Sequence, residues 1–318
     1  MTDIILCTYN GETYIREQLD SFLNQKVRAD HIDVFDDCSR DDTRAILHEY
    51  ADRMPEYISI TERSTASGSA SNNFLNAIAE TDNKYDYYML SDQDDIWNGN
   101  KIERLKKTIS ELESKHGKDT PVLVCSDASL IDETGRELAE SFVRFSGLRP
   151  DKDSPGELLL QNQYPGASFI FNRALKKRIS SAPRNAMMHD HWLVLNAGCF
   201  GIIHYIDEPL YKYRQHSKNV LGAKTASPLT QFKNRMGFGS KSVKKMNSLA
   251  NEYLQGTIKQ AEEFLAVNEA ELSDEQKKVI REYCSLMSVN KLERLRKIIR
   301  YNYTYNTLYR TMGEWVLS

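Results

Sequence analysis

Asp92, Asp94 and Asp95 put three carboxylates within four positions of the stretch Leu90-Ser91-Asp92-Gln93-Asp94-Asp95-Ile96-Trp97. Like charges this close repel, and their pKa values rise unless a cation sits between them. Hard divalent cations such as Mg²⁺ and Mn²⁺ take oxygen ligands of this kind. A metal held there would leave coordination sites for a substrate's phosphates. The competing reading is a solvated acidic turn. Against it, the aromatic and apolar run Tyr87-Tyr88-Met89-Leu90 reads as a buried strand, and Ile96-Trp97 follows the acids. A solvated turn needs no buried anchor on both sides.

Other residues have types suited to chemistry. Asp36 and Asp37 are adjacent after a short apolar run. An acid at a helix start complements the helix dipole, but a second one beside it is less easily explained by capping. A carboxylate at a strand end can accept a hydrogen bond from the N3–H of uracil or thymine. Asp190 stands in the first turn of a helix in His189-Asp190-His191-Trp192. It either caps that helix or, desolvated by its aromatic and apolar neighbours, has the raised pKa of a general base. His189, His191, His204 and His216 lack zinc-site spacing. His216, a lone histidine after a strand, is more often structural than a ligand. There is no GxGxxG and no GxxxxGK[ST], which disfavours a dinucleotide-binding fold and a P-loop NTPase.

These residues need elements to position them. Asp3–Cys7 reads as a first strand, followed by the loop Thr8-Tyr9-Asn10-Gly11 and a helix carrying Ile15, Leu19, Phe22 and Leu23 on one face. Asp33-Val34-Phe35 is a second strand. Ser39 and Asp42 resemble a capping box, so a helix is expected there. Tyr57–Thr61, Tyr87–Leu90 and Val122–Cys125 are further strands. Between them lie helices marked by Phe74, Leu75 and Ile78, and by Ile102, Leu105, Ile109 and Leu112. Such alternation predicts βαβ units and a parallel sheet. Ligands bind such sheets at the carboxyl ends of strands. The loops Thr8–Gly11, Asp36–Thr43 and Asp92–Asp95 should therefore open on one edge, and all three are polar.

Composition is ordinary for a globular chain of 318 residues, with a net charge of −3 that implies no attraction to nucleic acid. The N-terminal Met1–Cys7 has no basic region and no long apolar core, and reads as a strand rather than a signal peptide. Five scattered cysteines without CxxC spacing suggest reduced thiols and a cytosolic setting. After Gly166–Arg173 (turn, strand, helix start) and a strand at Ile202–Ile206, strands disappear near Ser227-Pro228. The chain is thus divided into residues 1–225, α/β, and 226–318, helical. Lys291–Arg300 carries five basic residues and one acid, with Leu292, Leu295, Ile298 and Ile299 on one helical face. Tyr301, Tyr303, Tyr305, Tyr309 and Trp315 follow. The pattern suits a helix lying on an anionic membrane surface, or equally one packed on its own domain with a solvated basic face.

In order and spacing, Thr8-Tyr9-Asn10-Gly11-Glu12 with Gln18-Leu19 and Ser21, then Asp36-Asp37-Cys38-Ser39, then Asp92-Gln93-Asp94-Asp95, resemble glycosyltransferase family 2 over roughly residues 1–220. The stretch Leu90–Trp97, with His189–Leu193 and Tyr213-Arg214-Gln215-His216, is similar to its rhamnosyltransferase branch, which builds bacterial surface polysaccharides. The resemblance implies a GT-A-type, Rossmann-like, mostly parallel sheet flanked by helices, with a C-terminal α-helical region. It implies an inverting, metal-dependent enzyme using Mn²⁺ or Mg²⁺. The donor would be dTDP-β-L-rhamnose, or alternatively a UDP-hexose, and the acceptor a lipid-linked saccharide. Tyr9 and Asp37 would hold the nucleobase, with Thr8, Asn10 and Asp36 in the same donor-binding loops. Asp92 and Asp94 would form the DxD element, with Asp94 as metal ligand and Asp95 assisting. His216 would approach the diphosphate or metal, and Asp190 would be the acceptor-activating base. Cys38 departs from the family's usual Gly or Asn, and Ala66-Ser67-Gly68 from its usual Asn-x-Gly.

A sugar-nucleotide pyrophosphorylase would need a Gly-rich loop after the first strand, which Thr8–Glu12 does not supply. A non-catalytic sugar-nucleotide-binding module is disfavoured by the presence of Asp94 and Asp190 together. The expected setting is cytosolic, at the inner face of the cell membrane. The oligomeric state is left open, a homodimer included.

Overall fold

The computed structural model describes residues 1–216 and 240–306, with side chains from 251 onward in the second segment. Its first half alternates as the periodicities require: β1 (Thr2–Thr8), α1 (Ile15–Leu23), β2 (His31–Asp36), α2 (Thr43–Arg53), β3 (Ile58–Glu62), α3 (Ala70–Glu80), β4 (Tyr87–Ser91), β5 (Ile96–Trp97), α4 (Lys101–His116) and β6 (Val122–Ile131). There follow β7 (Glu137–Ala139), α5 (Phe142–Ser146), α6 (Pro155–Leu160), β8 (Ile170–Asn172), α7 (Arg173–Lys177), α8 (His189–Phe200) and β9 (Ile202–Arg214). Three helices close the described chain: α9 (Ser240–Asn268), α10 (Asp274–Cys284) and α11 (Lys291–Tyr301).

The strands form one sheet in the order β3-β2-β1-β4-β8-β6-β9-β5, with β7 beside β6. β3, β2, β1 and β4 are mutually parallel. β1 lies between β2 and β4 and is buried along its whole length, as a two-sided parallel strand requires. The register pairs Thr8 with Asp36 and Leu6 with Ser91. The carboxyl ends of β1, β2 and β4 therefore open together. The rest of the sheet is mixed: β8 runs antiparallel to both β4 and β6, while β6 and β9 are parallel.

Three local expectations change. The Ser39–Asp42 capping box does not form: α2 starts at Thr43, and Asp42 precedes it without a side-chain cap bond. Ser39 instead donates its hydroxyl to Asp36 and accepts the Asn10 N–H. The strand at Ile202 runs on to Arg214; Pro209, which has no N–H for the ladder, lies where the β6–β9 register shifts. In α11, Ile298 is buried whereas Leu292, Leu295 and Ile299 are exposed, so they do not share one face. Tyr303 and Tyr305 are also buried rather than interfacial. Tyr309, Trp315 and the expected boundary near residue 225 lie outside the described residues.

The chain groups into two compact units, each made of separate stretches of sequence. One comprises Met1–Val143, Tyr164–Ala182 and the described part of Phe200–Ala223. The other comprises Arg144–Gln163, Pro183–Cys199 and the described residues after Lys224. No cysteine is in a disulfide. Among the described residues no helix is long and apolar enough to cross a membrane.

Candidate active site

Three loops meet at the carboxyl edge of β1, β2 and β4, and their side chains lace them together. Asp36, fully buried, accepts Thr8 Oγ1 at 3.0 Å, the Ser39 N–H at 3.0 Å and Arg44 Nε at 2.7 Å. Thr8 and Asp36 are thus internal supports of the edge. Asn10 has a positive φ of 48°. It donates its N–H to Ser39 Oγ at 2.9 Å and accepts the Arg40 N–H on Oδ1 at 2.9 Å. Cys38 also lies in the left-handed region, with φ 66°, the conformation glycine or asparagine adopts most easily. The geometry thus suits Gly or Asn at this position, and Cys38 adopts it with its thiol donating to the Arg63 carbonyl at 3.1 Å.

Asp37 is buried, and both its oxygens are engaged by the loop before α3: Oδ1 accepts the Ser67 N–H at 2.7 Å and Oδ2 accepts Ser67 Oγ at 2.8 Å. The Ala66-Ser67-Gly68 loop therefore does contact the site, through Ser67. A carboxylate has about four lone-pair sites, so these two bonds leave acceptor capacity on Asp37. Tyr9 is exposed, with its backbone clamped by Gln93, which has no role in the sequence pattern. Gln93 Oε1 accepts the Tyr9 N–H at 2.8 Å, and Gln93 Nε2 donates to the Tyr9 carbonyl at 3.0 Å. The clamp needs a glycine next door, because a Cβ on Gly11 would lie 2.3 Å from Gln93 Oε1. Position 93, between two expected ligands, was the available signal.

The acidic loop is gripped from the far end of the sheet. β5 and β9 are antiparallel, pairing Ile96 with Lys212 and Trp97 with Tyr211. That register carries the end of β9 back alongside Asp95 and Asp94. His216 Nε2 lies 2.7 Å from Asp94 Oδ2. Arg214, almost wholly buried, donates its backbone N–H to Asp95 Oδ1 at 3.2 Å, and its Nε to the Asp94 carbonyl at 3.0 Å. It also pairs with Glu17. Tyr14 covers this corner, with its ring centroid 5.1 Å from that of His216 and 4.6 Å from the Arg214 guanidinium carbon. In the sequence Arg214 sits beside His216 with no role assigned, and Tyr14 carries no signal of its place here.

Asp95 is buried, and its Oδ2 has no hydrogen-bond partner among the described residues. Burial pushes its carboxyl well above the usual range, and Asp94 and Asp92 add to the rise. A set of three ligand-type side chains within 4.8 Å of one another occurs at Asp3, His31 and Asp33. It stands at the amino ends of β1 and β2, opposite the acidic loop.

Asp190 belongs to the other compact unit. The segment before α8 is pinned by α9: the Arg184 and Asn185 N–H groups donate to Glu263, and the Met187 N–H to Gln260 Oε1 at 2.8 Å. Trp192 meets Phe264 edge-on at 5.5 Å. Withdrawal from water pushes the Asp190 carboxyl up to about 6, against hydrogen bonds from the His191 N–H and Asn162 that lower it. Burial holds His189 down to about 3 and His191 to about 4. His191 Nε2 donates to the Leu158 carbonyl at 2.6 Å. Both imidazoles are neutral and weakly basic, so Asp190 is the stronger proton acceptor of the three.

Residues 3–116 match the family described as Glycosyl transferase family 2. The dTDP-rhamnosyl transferase RfbG of Shigella flexneri is 31% identical over 233 residues, covering 69% of this chain and 74% of that one. The chain belongs to glycosyltransferase family 2. An uncharacterised glycosyltransferase of Rickettsia typhi is 25% identical over 99% of this chain and 96% of its own. Among solved structures, residues 1–349 of S. aureus TarS, crystallised with UDP-GlcNAc, superpose with a TM-score of 0.58 at 17% identity, covering 98% of this chain and 83% of that one. The fold of this family 2 member is therefore the expected GT-A-type α/β architecture followed by helices.

Proposed function

We propose that the protein transfers a sugar, with inversion, from a nucleoside-diphosphate donor to a hydroxyl of a saccharide acceptor. L-rhamnose from dTDP-β-L-rhamnose is the donor favoured by the similarity to RfbG, and a lipid-linked saccharide is the acceptor class. The observation that carries the reading is the acidic loop, held by His216 and Arg214 on the same sheet edge as Asp37.

A divalent cation fits the residues present. Asp95 has a buried oxygen without a partner, Asp92 and Asp94 crowd it, and an imidazole nitrogen faces Asp94. Carboxylate oxygens with one imidazole suit Mn²⁺ or Mg²⁺. Asp94, Asp92 and His216 would hold the ion. When bound, it supplies positive charge to the departing diphosphate.

The remaining work falls to the chain's own groups. Tyr9 and Asp37 hold the base, with Asp37 accepting the N3–H of thymine or uracil. Thr8, Asn10 and Asp36 keep the two loops in register. Asp190 takes the proton of the acceptor hydroxyl as that oxygen attacks the anomeric carbon. Holding donor and acceptor together supplies much of the rate.

Thermal-shift screening of nucleotide sugars with Mn²⁺ tests this. A true donor at 100 times its dissociation constant stabilises by about 2.7 kcal/mol. dTDP-rhamnose is expected to do so and purine-nucleotide sugars are not. Stabilisation by UDP-hexoses alone would move the donor assignment, and none by any nucleotide sugar would remove the reading.

A further inference from the structure

Helix α11 (Lys291–Tyr301) is anchored along one side only. Ile298 is buried there, Arg294 Nε donates to the Leu286 carbonyl at 3.0 Å, and Lys297 Nζ meets Glu282 at 2.6 Å and Ser285 Oγ at 2.7 Å. The end of the helix is equally close to its support. A Cβ on Gly156 would lie 1.9 Å from the Tyr301 carbonyl oxygen.

The other side is unusual for a surface helix. Leu292, Leu295 and Ile299 are 61%, 42% and 73% exposed. At about 100° per residue they fall within roughly 60° of arc, on the side opposite the anchored Arg294 and Lys297. Met287, in the preceding turn, is also exposed. Single exposed leucines are ordinary, but a row of aliphatics where a helix normally shows its polar face is not. Lys291 flanks the row on one side and Arg296 on the other, with Arg300 beyond. All three are exposed. Glu293 is the one acid of the helix, and it lies 3.7 Å from Arg296. The outward face thus combines an aliphatic row with a local positive charge on a chain whose net charge is −3.

We propose that this face docks on an anionic lipid surface. Leu292, Leu295 and Ile299 enter the boundary between headgroups and acyl chains, and Lys291, Arg296 and Arg300 meet the lipid phosphates. The aliphatic row calls for an apolar medium and the flanking cations for negative charge, and an anionic bilayer offers both along one plane. Arg294 and Lys297, turned inward, take no part.

The test is flotation of the intact protein with vesicles of phosphatidylcholine and phosphatidylglycerol, against phosphatidylcholine alone. The wild type is expected to float with the anionic vesicles, less so in high salt. Replacing Lys291, Arg296 and Arg300 with Gln together is expected to lower partitioning by about 100-fold. Leu292→Ser with Leu295→Ser and Ile299→Ser is expected to abolish it. Ile299→Asp alone, at the most exposed position of the row, serves should the triple variant misfold. No flotation of the wild type, or partitioning untouched by the cation and aliphatic replacements, overturns the proposal. So does a wild-type dimer that Ile299→Asp dissociates without any effect on flotation, since the face would then bind a second copy.

Discussion

His216 and Asp94, 122 positions apart, face each other across 2.7 Å between Nε2 and Oδ2. The contact follows from the antiparallel β5–β9 register, which lays the end of the last strand against the acidic loop. If the pair belongs to a cation site, EDTA abolishes transfer and Mn²⁺ or Mg²⁺ restores it. Asp94→Ala should lose both turnover and donor affinity. His216→Ala should raise the Mn²⁺ concentration needed for half-maximal rate. Full activity of the wild type in EDTA would take the metal out of the reaction.

Asp37 holds Ser67 and has capacity for one more donor. Asp37→Ala is expected to weaken dTDP or UDP binding by about 1–3 kcal/mol, the range for a buried polar group left unpaired. Ser67→Ala keeps the carboxylate and should weaken it less. Calorimetry on both variants separates the roles. Equal losses would make Asp37 a strut for the Ser67 loop rather than a contact to the base.

Asp190→Asn can be expected to fold, since the amide is nearly the same size. It cannot accept a proton at neutral pH, so transfer should fall by roughly 10²–10⁴. Donor affinity should hold. The wild-type carboxyl, raised to about 6 by withdrawal from water, is an active base only when ionised. The transfer rate should therefore rise with pH through about 6 and level off above it. A pH profile of single-turnover transfer checks both claims; a variant within a few-fold of wild type would place the base elsewhere.

At the opposite end of β1, burial raises the Asp3 carboxyl to about 7, partly offset by its hydrogen bond with His31, and that bond raises the imidazole. Both groups bind protons more tightly folded than unfolded, so stability should fall as pH rises. For His31 the contribution is complete below its unfolded value of about 6.5 and is lost through its higher folded value. For Asp3 the cost of ionising in the interior appears as pH climbs from about 4 to about 7. Melting temperatures across mildly acidic to mildly alkaline pH should decline, and more steeply than in Asp3→Asn. Parallel curves for the two proteins would rule this pair out as the source.

The parallel half of the sheet is legible in the order of residues. Ile4-Ile5-Leu6-Cys7 and Tyr87–Leu90 are continuous apolar runs that alternate with amphipathic helices, and such local periodicity is written in the order of residues. The three polar loops could therefore be assigned to one edge, and Asp37, Asp94 and Asp190 singled out, from the order and types of residues. Pairings between distant segments emerge only when the chain folds. Gln93 clamps Tyr9, Ser67 engages Asp37, and Arg214 and His216 return to the acidic loop through a strand that continues past Pro209. The outward and inward sides of α11 were decided in the same way. Leu292, Leu295, Ile298 and Ile299 look alike in a helical repeat, and only the packing against α10 and the turn that follows it selects which of them meets water. Register and packing depend on where chains cross, which a one-dimensional pattern does not encode.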